Sequence, residues 1–191
     1  MSRFPKRAVV AAALLTLVGA PVAQAQNNPS PAVGVTLNAT KKETLSLSGV
    51  TGSASLVAAT GIIDSSTAND FTPISVTTNW NLKTSTSVTL VGYFADPAQA
   101  LVANGSDFIT SSQVEGKLST DPVGSYAAFT GAPVGTAGVA GATRAFWSQA
   151  VAGPTLKSNR TDVLNLRLNM TDAVAAAGDY TGTLNLRAIA Q

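Results

Sequence analysis

The runs Val163–Met170 (VLNLRLNM) and Tyr180–Ala188 (YTGTLNLRA) determine the expected fold of this 191-residue chain. In both runs apolar side chains alternate with Asn, Arg or Thr, which is the period of a strand with one buried face. Each run is therefore expected to line one face of an antiparallel sandwich, and the two to form its closing hairpin. Because Tyr180 follows the turn at residues 172–178, we also predict a tyrosine corner, in which the hydroxyl bonds to upstream backbone.

The middle of the chain repeats this pattern. Ile74–Leu82 alternates apolar and polar residues and places Trp80 on the apolar side, where it is the best candidate for a structural core anchor. Val88–Phe94 follows after a short polar connection and is apolar on both sides. Two long strands with a short polar connection are expected to pair as a hairpin.

One segment has the features of a helix start. Asp96 is placed to act as an N-cap, Pro97 fits the first helical position, and good helix formers follow as far as Ala103. We therefore predict an all-β fold with one short helical turn near residues 96–103. The expected architecture is an antiparallel immunoglobulin-like β-sandwich of about seven to nine strands.

The first 25 residues have the features of a secretory signal peptide. Basic residues precede the apolar run Ala8–Ala20, and Ala23 and Ala25 supply the small residues of a cleavage site. This apolar run has 13 residues, fewer than the roughly 20 that a membrane-spanning helix needs. We expect a secreted protein of the periplasm or the cell surface, with no membrane span in the mature chain. Residues 26–32 would be a flexible leader and residues 33–191 a single β-sandwich domain.

The composition argues against several classes of function. Without residues 1–25 the chain carries nine Lys or Arg and ten Asp or Glu, which gives no support to nucleic acid as a partner. The chain has no Cys and no His, so it lacks the commonest general base and metal ligand. Most Asp residues fall in turn-forming contexts, and no Ser-x-x-Lys motif occurs. We expect no catalytic residue, no cofactor, no metal and no enzymatic activity.

Three aromatic residues are candidates for ligand contact. Tyr126, Phe146 and Trp147 could form a carbohydrate-contacting patch, although core or loop-anchoring roles are an alternative. They flank Gly131–Ala142, a segment rich in Gly and Ala that is expected to be either mobile or functional.

A second candidate site lies near the start of the mature chain. Val33, Val35 and Leu37 alternate with polar or small residues directly after the Pro-containing leader. A strand of this kind can be donated to the exposed sheet edge of a neighbouring subunit, because backbone pairing satisfies both edges. The alternative is an ordinary first strand that pairs within its own domain.

The segment Ala177–Gly182 (AGDYTG), followed by an alternating strand, resembles the end of secreted bacterial immunoglobulin-like proteins of the fimbrial subunit kind. The chain resembles in particular the cysteine-free class 5 fimbrial subunits, and the resemblance covers about thirty residues. WxL-type surface domains are similar to a lesser degree, since Trp80-Asn81-Leu82 lies far from the C-terminal position that this family uses. The penultimate Tyr and paired Cys of many chaperone-usher pilins are absent.

This resemblance implies a structural or adhesive protein of the cell envelope. Such a protein would act through strand pairing or surface contact, with like subunits or other envelope and surface components as partners. The alternative from another class is an extracellular β-sandwich module that binds carbohydrate or another ligand.

Overall fold

The structure, a computed structural model, describes Ala39 and residues 42–57, 69–171, 173 and 175–191. Apart from Ala39, these residues belong to one unit, Lys41–Gln191. The expected signal peptide, the leader and the strand containing Val33, Val35 and Leu37 lie outside the described residues.

The regular secondary structure of the described residues is almost entirely β. They form eleven strands, which are β1 Thr44–Ser48, β2 Asn69–Asp70, β3 Ile74–Asn81, β4 Ser87–Tyr93, β5 Leu101–Ala103, β6 Asp107–Ile109, β7 Val114–Leu118, β8 Ala127–Ala128, β9 Thr143–Ala150, β10 Lys157–Leu168 and β11 Asn185–Ala190. Two short 3-10 helices occupy Ser111–Gln113 and Gly153–Leu156. The all-β prediction is confirmed, and the strand number exceeds the expected seven to nine because β2 and β8 contain only two residues each.

The strands form two main antiparallel sheets. The large sheet has the order β1-β3-β10-β7-β8, with β2 also paired to β10, and the small sheet has the order β11-β4-β9. Strands β5 and β6 form a separate pair. Side chains of both sheets enter one hydrophobic core, so the fold is sandwich-like. Its immunoglobulin type stays a prediction.

The alternation seen in the sequence explains which faces are buried. Leu164, Leu166 and Leu168 of β10 are buried, while Arg167 and Asn165 between them are only half-buried. Strand β4 is buried on both faces because Val91 packs on the side opposite the main core. The period of two therefore identified the inner faces correctly.

The two predicted hairpins are wrong. Strand β3 pairs with β1 and β10, whereas β4 pairs with β9 and β11 in the other sheet. Strands β10 and β11 likewise lie in different sheets. The reason is that both edges of β3 are already occupied, so the short connection after it crosses from one sheet to the other. Alternation defines a buried face but does not define a strand's partner.

The predicted helical turn near residues 96–103 is also wrong. The Asp96 carboxylate does accept a hydrogen bond from the Ala98 amide (2.8 Å), as an N-cap would. However, Leu101–Ala103 form β5, and Val102 exchanges backbone hydrogen bonds with Thr181 at 2.8 and 3.0 Å. Pairing with neighbouring strands buries Leu101 and Ala103 and overrides the local helix signal.

The Gly- and Ala-rich segment at residues 131–142 packs on the outer face of the small sheet. Ala137 is buried there with Val91 and Ile189, and Val134 packs beside them. A tight turn joins Val134 and Ala137 through two backbone hydrogen bonds of 2.8 and 3.0 Å. The segment therefore covers a second, small core.

Two glycines let the ring of Phe146 lie between the sheets. A Cβ atom at Gly92 would lie 2.7 Å from Phe146 Cε2, and one at Gly116 would lie 3.1 Å from Phe146 Cε1. We expect Gly92→Ala to lower the free energy of unfolding by about 1–3 kcal/mol, because the added methyl overpacks the core. Denaturant unfolding measures this effect. Gly52→Ala is the control, since nothing lies within 4 Å of its Cβ position; equal losses in both variants would contradict the packing argument.

Candidate functional site

A cavity of about 780 Å³ opens between residues 50–56 and residues 178–184, next to β1 and β11, which are edge strands of the two sheets. Its floor consists of core side chains, which are Ile74, Phe94, Leu101, Val114, Leu166 and Leu168. Residues 50–56 form one wall and residues 178–184 form the other. We call this cavity the edge groove. It is apolar at its base because it reaches the interface between the sheets.

The strands beside the edge groove each have one unpaired edge. Among the described residues, β1 pairs only with β3 and β11 pairs only with β4. Leu47 and Leu186 face the groove from the two strands. Unpaired backbone groups beside an apolar floor are the features that an added extended segment requires.

The AGDYTG motif builds one wall of the edge groove. Tyr180 lines the groove, packs against the core and donates a hydrogen bond from its hydroxyl to the Ala176 carbonyl (3.1 Å), the contact expected at a tyrosine corner. A Cβ atom at Gly182 would collide with the Ala100 carbonyl oxygen, and one at Gly178 would lie 3.0 Å from Ala103 Cβ. The glycines thus allow this wall to lie directly against the chain near β5.

The structure does not bring the three candidate ligand-contact aromatics together. Phe146 and Trp147 are buried in the core. Phe146 contacts Phe129 edge-to-face, and the ring centroids of Trp147 and Trp80 lie 6.3 Å apart. Tyr126 instead lies beside Arg167, on the outer face of the large sheet. No shared aromatic surface results from these three residues.

Tyr126 belongs to a polar cluster on that outer face. The Arg167 guanidinium lies 4.1 Å from the Tyr126 ring centroid and forms an ion pair of 2.6 Å with Glu115. Burial raises the pKa of the Tyr126 phenol, the Asp70 carboxylate adds to this, and Arg167 opposes it. The Lys117 ammonium donates to the carbonyls of residues 121 and 122 at 3.2 Å. These contacts attach the segment at residues 121–126 to the sheet.

Trp80 is buried in the core. Its indole N–H donates a hydrogen bond of 2.8 Å to the Thr155 carbonyl, which ties β3 to the 3-10 helix before β10. Among the described residues, no group of three or more acidic side chains could hold a metal ion. No helix within this part of the chain is long and apolar enough to cross a membrane.

The sequence did not predict the edge groove. Three of its side chains, Leu47, Leu184 and Leu186, belong to alternating patterns that are visible in the sequence. The sequence does not indicate which strands lie at the edges of the sheets, so it could not locate the groove. Compared with known proteins, the chain matches no family model and no curated protein.

Proposed function

We propose that this protein is an exported structural or adhesive subunit of the cell envelope, of the fimbrial-subunit kind, that acts through strand pairing at the edge groove. The observation that carries the proposal is the apolar floor of the groove beside β1 and β11, each of which pairs with only one strand among the described residues. The signal-peptide pattern of residues 1–25 and the AGDYTG resemblance support it. We place the mature protein in the periplasm or at the cell surface.

The proposed occupant of the edge groove is the segment at residues 26–38 of a second copy. This segment contains no charged residue, and Val33, Val35 and Leu37 alternate within it. An added strand would direct these three side chains toward the apolar floor. Thirteen extended residues reach about 43 Å, which is ample for a strand alongside the five residues of β1.

We expect deletion of residues 26–38 from the mature chain to convert a self-associating protein into a monomer. Sedimentation or light scattering at several concentrations measures the mass. Val35→Asp should have the same effect, because it places a charge on the apolar floor. Thr36→Asp, on the opposite side of the same strand, is the matched control and should still associate. A parent chain that is already monomeric, or equal masses for both Asp variants, would overturn the proposal.

A module that binds carbohydrate or another ligand is the alternative function. It has less support because Phe146 and Trp147, two of its three candidate contact residues, pack inside the core. The remaining aromatic, Tyr126, already stacks on Arg167.

A further inference from the structure

Among the described residues, the first half of β10 has no partner strand on the side that faces β7 in its second half. Strand β10 pairs with β7 only over Leu164–Leu168, whereas β3 pairs with it over Lys157–Leu164. The Val163 carbonyl accepts from Ser119, and the Asn169 amide donates to Gln113. These bonds show that odd-numbered residues direct their backbone groups toward the β7 side.

Because backbone groups alternate along a strand, Asn159 and Thr161 direct their amides and carbonyls to this same side. No strand pairs with them there among the residues that the structure describes. By backbone geometry alone, residues 157–162 could therefore accept a further strand.

The inner face of this open edge carries an ion pair. The Arg160 Nε donates to both carboxylate oxygens of Asp162, at 2.8 and 3.0 Å. The Asp162 side chain is 4% exposed and the Arg160 side chain is 33% exposed. The Arg160 guanidinium also lies 4.7 Å from the ring centroid of Trp147, a core residue of the small sheet.

The other edges lack this feature. Leu45 and Leu47 of β1 and Leu186 of β11 pack against the core from the edge-groove side. Only one other ion pair, Arg167–Glu115, occurs in the described part of the chain, and it lies on the outer face of the large sheet. Among those residues, a charge pair directed between the sheets is found solely at the open edge of β10.

A strand added beside residues 157–162 would lie about 4.8 Å from β10. Its inward side chain opposite Arg160 would cover the part of the Arg160 side chain that is now exposed. The two terminal nitrogens of Arg160 have no hydrogen-bond partner among the described protein atoms, so they would lose water without gaining a replacement. Desolvation of charged donors without new partners opposes such a contact.

We propose that the Arg160–Asp162 ion pair closes the open edge of β10 to strand pairing with a second copy of this chain. An inward-pointing charge is an effective way to protect a sheet edge, because any partner strand must bury it. The pair thereby makes the two sides of the molecule unequal as sites of association. This inference stands independently of what occupies the edge groove.

The test removes both charges together, since removal of one would leave the other without its partner. Arg160→Val/Asp162→Val is made in the full mature chain carrying Val35→Asp, which separates this edge from association at the groove. We expect self-association at least ten-fold stronger than that of the Val35→Asp parent, measured by sedimentation equilibrium. Cooperative thermal unfolding establishes that the variant is folded.

Asn159→Val/Thr161→Val is the matched control, because it adds two valines to the same edge on the outer face and keeps the ion pair. It should associate like the parent. Equal association of the two valine pairs would overturn the proposal, as would a folded Arg160→Val/Asp162→Val variant with the parent's mass. If that variant does not fold, Arg160→Gln/Asp162→Asn removes both charges at similar side-chain length. Stronger self-association than the Val35→Asp parent would then support the proposal, and a folded variant with the parent's mass would overturn it.

Discussion

Replacement of Phe129 by Ala should lower the free energy of unfolding by about 3–5 kcal/mol. Phe129 is fully buried. Its ring packs edge-to-face against two other rings, with centroid distances of 5.1 Å to Phe94 and 6.0 Å to Phe146. Gly92 and Gly116 border the same space. Because these glycines have no side chains that could move into the cavity, the site cannot collapse easily. Urea unfolding monitored by tryptophan fluorescence measures the loss.

Phe108→Ala is the control for this prediction. Phe108 lies in β6 and is 42% exposed, so its removal should change the free energy of unfolding by about 0.5 kcal/mol or less. Equal losses at Phe108 and Phe129 would show that the three-ring contact is not the centre of the core.

Trp80→Ala should have an effect of similar size, about 3–5 kcal/mol. The side chain is buried against Trp147, and its N–H donates to the Thr155 carbonyl. The variant loses the packed ring and leaves that carbonyl without its donor. Differential scanning calorimetry should show a lower unfolding temperature.

Trp80→Phe separates the two contributions. It keeps an aromatic ring in the core but removes the hydrogen bond, whose net contribution is about 0.5–1.5 kcal/mol because Thr155 is exposed and water can replace the lost donor. A Phe variant as unstable as the Ala variant would assign the whole effect to the hydrogen bond and contradict the packing account.

The sequence predicted buried faces well and strand partners poorly, for a physical reason. Alternation along β3 and β10 reflects which side chains leave water, and this property is local. Pairing joins residues far apart in the chain, such as Thr77 and Thr161, whose hydroxyls lie 2.8 Å apart. The choice between a hairpin and a crossing to the other sheet depends on every strand competing for the same edge.

One local signal failed because a distant contact overrode it. The helix-start pattern at Asp96 ends in β5, since Val102 pairs with Thr181 across the fold. The prediction that β4 is apolar on both sides is confirmed, and its outer face is buried because Ala137 of the Gly- and Ala-rich segment covers it. Nothing in the composition of that segment indicated such a role.

The edge groove shows the same limit at a candidate site. Its leucines were recognised as strand residues, but an open edge is the absence of a neighbour in three dimensions, and no local pattern encodes it. The grouping of Tyr126 with Phe146 and Trp147 failed for a related reason. Tyr126 lies outside the large sheet, whereas Phe146 and Trp147 fill the space between the sheets.

The position of β11 at the end of the sequence also affects the order in which the sheets can form. The carbonyl of Gln191 accepts from the amides of Thr86 and Ser87, and Ile189 completes the small core beneath residues 131–142. The small sheet thus cannot be completed until residues 185–191 have left the ribosome. Folds dominated by such distant pairings form slowly, so we expect the pairing of β11 with β4 to be a late step in folding.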